Sequence, residues 1–135
     1  MRKLLYSVVT TILLLLVYAP AALSQGGGKA EPRRIQFARG TTRTTINERI
    51  KNHEEAEYVI AAKKGQRLII KLTSVPRRSS VFDLKAPDDA DLGLEYDANY
   101  DFNKILPASG DYFITVVRPT SEQGTSSYKM MITIR

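Results

Sequence analysis

Apolar side chains return at every second position along most of this chain, which is the period of a strand with one buried face. Thr44 to Lys51 sets Ile46 and Ile50 on one side. Ala56 to Ala62 places Tyr58 and Ile60 together, and Lys63-Lys64-Gly65-Gln66 supplies a turn. Arg67 to Ser74 carries Leu68, Ile70 and Leu72 inward, and Ser80 to Ala86 repeats the pattern with Phe82, Leu84 and Ala86. From Leu92 to Phe102 the even positions are Leu92, Leu94, Tyr96, Ala98, Tyr100 and Phe102, and the odd ones are polar or Gly. That predicts a strand, or two joined at Asp97-Ala98-Asn99. Asp111 to Arg118 follows with Tyr112, Ile114 and Val116 on one side, and Ser127 to Ile134 with Tyr128, Met130, Ile132 and Ile134. A short first strand carries Ile35 and Phe37 and ends near Gly40.

No stretch sustains the i, i+3, i+4 stripe of a helix, and no repeat of solenoid length is present. About eight short strands joined by Gly, Pro and Asp turns predict an all-β fold, an antiparallel two-sheet β-sandwich of jelly-roll or Greek-key style. A closed barrel is the alternative.

The N-terminus breaks the alternation. Met1-Arg2-Lys3 precedes an apolar run from Leu4 to Tyr18, and small residues at Ala22 and Ser24 suit a signal peptidase. Residues 1–24 are expected to be a secretory signal peptide, cut before Gln25. The run is shorter than the roughly 20 residues a spanning helix needs, so no membrane insertion is expected after cleavage. Gln25 replaces the Cys that lipid anchoring would require. Residues 25–32 read as a Gly-rich flexible linker, and residues 33–135 as the β-sandwich domain. The expected compartment is the periplasm or the exterior.

Composition narrows the function classes. The chain has 135 residues, 20 Lys and Arg, 14 Asp and Glu, one His and no Cys. One domain is the count this length supports, large enough to hold together without a disulfide or metal. Zinc lacks ligands, since His53 stands alone in a polar turn, and that same scarcity leaves no recognisable Ser/His/Asp triad. Asp97-x-Asn99-x-Asp101 imitates the start of a calcium loop, but Phe102 and Ala108 occupy the positions where an EF-hand has Gly and Glu. No enzyme is expected, and no cofactor.

Charge is uneven along the chain. From Asp83 to Asp111 there are eight acids and two bases, a segment of −6. The bases gather elsewhere, at Arg33, Arg34, Arg39, Arg43, Arg49, Arg77 and Arg78. They suit an anionic envelope or polysaccharide, and nucleic acid is not expected because no aromatic platform interleaves with them.

Four stretches together carry a resemblance: Ile35-Gln36-Phe37-Ala38-Arg39-Gly40, Tyr58 through Gln66, Val81 through Pro87, and Leu106-Pro107-Ala108-Ser109-Gly110-Asp111-Tyr112. The chain from Arg33 to Arg135 resembles the small secreted β-sandwich proteins that include bacterial periplasmic inhibitors of g-type and i-type lysozymes. It is also similar to bacterial pre-peptidase C-terminal domains. The first resemblance implies a protein partner, a lysozyme, met through a Ser-Gly-x-Tyr loop, which here is Ser109, Gly110, Asp111 and Tyr112. The acidic segment running into that loop would steer a basic enzyme. The second resemblance implies a structural, glycan-binding or calcium-binding envelope domain, with calcium held by Asp88, Asp89 or Asp91. A homodimer through an edge strand stays open for any sandwich.

Overall fold

The alternating apolar positions face inward and are covered by two sheets. The computed structural model describes residues 31–94, 99–119 and 123–135. Its strands are β1 (Arg33–Arg34), β2 (Arg43–Lys51), β3 (Glu55–Ala62), β4 (Arg67–Val75), β5 (Val81–Lys85), β6 (Asp101–Ile105), β7 (Gly110–Val117) and β8 (Thr125–Ile134). A 3-10 turn, Pro87–Asp89, follows β5. Sheet A runs β1-β3-β7-β5 and sheet B runs β2-β8-β4-β6, so each successive strand joins the opposite sheet. The fold is the two-sheet sandwich the alternation predicts, and not a barrel. All strand pairs are antiparallel except β1 on β3, which is parallel with Arg33 beside Tyr58.

Between the sheets, Leu68, Ile70, Tyr112, Ile114, Val116, Met130 and Ile132 are wholly buried. Each such side chain contributes on the order of 1.5–3 kcal/mol over its exposed state, so this layer carries most of the fold's stability. Among the described residues, no helix is long and apolar enough to cross a membrane.

Two expected strands differ. The first lies at Arg33–Arg34, and Ile35 and Phe37 pack against the core without strand pairing beyond the Ile35 amide's bond to the Val59 carbonyl, 2.8 Å. Leu92 to Leu94 is a loop: the Gly93 amide donates to Asp91 Oδ1 (2.7 Å), and Lys104 Nζ donates to the carbonyls of Leu92 (2.8 Å) and Gly93 (2.9 Å). Gly93 takes a φ of +60°, which breaks the extended run, yet Leu92 still reaches the core. The middle of that stretch, residues 95–98, lies outside the described residues, as do the leader and most of the Gly-rich linker.

The fold also sorts charge by face. The outward positions of sheet B's strands carry Arg43, Arg49, Lys51, Arg67, Lys71 and Lys129 against the single acid Asp101. Those of sheet A carry Glu55, Glu57, Asp83 and Asp111 against Arg34 and Lys85.

Candidate binding loop

β6 and β7 are joined by residues 106–109, and the sequence-predicted site Ser109, Gly110, Asp111 and Tyr112 straddles the end of that loop. Its root is tied to the neighbouring β3–β4 turn. The Leu106 amide donates to the Gln66 carbonyl (2.7 Å), and the Gly65 amide donates to the Leu106 carbonyl (3.0 Å).

The four residues do four different things. Ser109 is exposed, and its Oγ accepts from the Lys64 amide at 2.8 Å, which fixes the side chain against the turn beside it. Gly110 has a φ of +143°, and a Cβ there would stand 3.0 Å from the ring of Pro87, so glycine is required both by conformation and by contact. Asp111 points to the outer face of sheet A, where Arg34 donates to both carboxylate oxygens at 3.1 and 2.8 Å. That pairing holds the Asp111 carboxyl below the usual carboxylate range.

Tyr112 is wholly buried, so it cannot touch a partner. Its hydroxyl donates to the Ala108 carbonyl (2.7 Å) and accepts from the Ala108 amide (3.3 Å). The ring is core, and the phenol oxygen is a brace that closes the loop on itself. Ser109 is thus the exposed tip, while Gly110 and Tyr112 give it shape.

Pro87 brings the acidic turn alongside. Asp88 and Asp89 are exposed there, both in the left-handed region at φ of +58° and +52°. The Lys85 ammonium pairs with Asp89 at 3.0 Å, and Arg34 pairs with Asp111, so two of the segment's acids are already neutralised locally. Asp91 is engaged with the Gly93 amide. Among the described residues, no three His, Cys, Asp or Glu side chains converge in a metal-holding group.

A second polar cluster was not foreseen. Glu48 faces inward from β2 and receives the guanidinium of Arg33, which also stacks over the Tyr58 ring at 4.7 Å and donates to the Tyr58 hydroxyl at 2.7 Å. The Tyr58 and Tyr128 hydroxyls meet each other and lie within reach of Glu48 Oε2, joining sheet A to sheet B. The Arg33 hydrogen bond holds Glu48 below the ordinary carboxylate range, the opposite of what an acid catalyst needs. Burial pushes both phenols up. The signal was present in the sequence: a carboxylate between Ile46 and Ile50 on an otherwise apolar face demands a partner. Beside this cluster lies a groove of about 660 Å³ lined by Glu48, Arg49, His53, Glu54 and Glu57 among others, and no residue of the β6–β7 loop borders it. His53 is exposed in the β2–β3 turn, as its polar surroundings predicted.

The chain matches no protein-family model and no curated protein. Among solved structures it is similar to PliG of Aeromonas hydrophila, a periplasmic lysozyme inhibitor of g-type lysozyme, at 22% identity and a TM-score of 0.66, over 77% of this chain and 96% of that one. Salmonella Typhimurium PliG gives 24% identity and a TM-score of 0.61, over 79% of this chain and 100% of that one. A mutant of Escherichia coli PliG gives 24% and 0.60, over 77% and 97%. At such identities the likeness establishes the shared fold.

Proposed function

We propose that the protein is an exported, non-catalytic binding module that inhibits a lysozyme, presenting Ser109 at the tip of the β6–β7 loop. The observation that carries this reading is the way the loop is held. Ser109 is exposed while it and its neighbours are held three ways, by the Tyr112 hydroxyl, by the Lys64 amide and by Pro87 lying close against Gly110. A tip already held in one shape loses little freedom on docking, which is the property a cleft-entering loop needs. The fold shared with inhibitors of g-type lysozyme supports the same reading. In it, Ser109 meets the enzyme, Tyr112 keeps the loop in shape, and Asp88 beside the loop favours the approach of a basic target.

The test is lysozyme activity, g-type, i-type and c-type in parallel, titrated with the protein and with its Ser109→Ala variant. Stoichiometric inhibition of one type, weakened in the variant, is the expected result. Inhibition of none sinks the reading, and an unchanged inhibition constant in Ser109→Ala removes the loop tip from it.

A further inference from the structure

The outer face of sheet B is unusual for its order as well as its charge. Pairing aligns β2, β8, β4 and β6 in cross-strand rows, and six successive rows each carry one strand base: Arg67, Arg43, Lys71, Lys129, Arg49 and Lys51. Rows on one face repeat every two residues, about 7 Å, so the bases form a stripe of roughly 35 Å. Among the described residues, no salt bridge ties any of the six to a carboxylate. Between them stand hydroxyls and amides, among them Thr45, Asn47, Thr73 and Ser127, which can donate hydrogen bonds to phosphate oxygens.

A second observation separates the partners such a stripe could serve. Three large hydrophobic side chains are exposed among the described residues, and two of them, Val75 (73%) and Ile105 (52%), sit on this same face. They flank the stripe towards its two ends, Val75 in the row of Arg49 and Ile105 in the row of Arg67. A soluble polyanion gains nothing from them. The boundary of a bilayer takes both, with apolar side chains entering the headgroup region while long basic ones reach phosphates. The outward strand positions of this face bear no aromatic ring on which a nucleobase could stack.

We infer that the outer face of sheet B docks the protein peripherally on an anionic phospholipid bilayer, through its basic stripe and the exposed Val75 and Ile105. This surface is separate from the β6–β7 loop and stands whether or not the loop inhibits a lysozyme.

The test is co-sedimentation of the protein, as the cell exports it, with phosphatidylcholine vesicles that contain or lack phosphatidylglycerol. Binding is expected only where phosphatidylglycerol is present, and should fall steeply as salt rises to roughly 0.5 M. Arg49→Glu with Lys129→Glu should weaken it by about tenfold or more, since each base near such a surface contributes separately. Lys85→Glu, on the opposite sheet, should leave it unchanged, and Val75→Ser should weaken it with every base retained. Melting temperature confirms that each variant is folded. Equal binding to pure phosphatidylcholine, or full binding by the double variant, overturns the inference. So does retention on a heparin column without any vesicle binding, which would mark the stripe as a site for soluble polyanions.

Discussion

Arg34 grips Asp111 across the outer face of sheet A, nitrogen to oxygen twice, and so couples the first strand of the sandwich to the residue that follows Gly110. The pair lies at the surface, and exposed pairs add little to stability. Its consequence is electrostatic. Arg34→Ala should barely move the melting temperature but should raise the pH at which the Asp111 carboxyl titrates, as read by NMR of the carboxyl carbon. It should also make association with a basic partner faster at low salt. An Asp111 titration that does not move would show that the pair is not formed in solution.

Tyr112 divides its role between ring and hydroxyl, and Tyr112→Phe separates the two. The ring keeps its place in the core, while the Ala108 amide and carbonyl lose their partner. A cost of about 1–2 kcal/mol is expected in urea unfolding, with faster hydrogen exchange at Ala108. If the loop inhibits a lysozyme as proposed, inhibition should weaken although Tyr112 itself is out of reach of any partner. Unaltered exchange at Ala108 would mean that the hydroxyl does not hold the loop.

Gly110→Ala tests the second restraint. The added methyl meets the Pro87 ring at 3.0 Å in a backbone region that side chains rarely adopt, so about 1–3 kcal/mol of stability should be lost. Equilibrium unfolding checks it. A neutral result would imply that the Pro87–Asp89 turn moves aside freely.

The cluster of Glu48, Arg33, Tyr58 and Tyr128 sets both ends of the pH range. Folded Glu48 takes its proton at lower pH than unfolded Glu48, so the unfolded state binds protons first on acidification. Its contribution is whole above about pH 4.3 and drains as pH falls through the folded value. The phenols have the opposite sign: their folded values are raised, so their contribution is whole below about pH 10 and is lost as pH climbs through those values. Melting curves should show Glu48→Gln flattening the acid arm relative to the parent protein. Ultraviolet titration should show Tyr58 and Tyr128 ionising only as the fold opens. An acid arm of the same slope in Glu48→Gln would exclude Glu48 as its source.

The strands were legible wherever an apolar face continued unbroken, as in Leu68-x-Ile70-x-Leu72 and Tyr112-x-Ile114-x-Val116, because alternation is itself the physical requirement for a half-buried strand. Leu92 and Leu94 alternate just as well, yet Gly93 and the Asp91 side chain turn the backbone there. Local chemistry overrode the period. The loop residues could be pointed to by resemblance, but their division of labour could not, since it depends on Lys64, Pro87 and Arg34 arriving from other parts of the chain. Charge was legible only in part, for a related reason. Counted along the sequence, the acids run into the loop. In space, Arg34 and Lys85 offset two of them, and the bases of β2, β4 and β8 collect on a face that no single segment reveals.

The last of the described strands, β8, is an inner strand of sheet B, flanked by β2 and β4. Until it emerges, β2 has no neighbour in its own sheet, and the inner side of β4 stays unpaired. Pairings this distant in sequence are slow to form, because a long loop must close before any contact rewards it. Sheet B therefore closes late, only once β8 has been made.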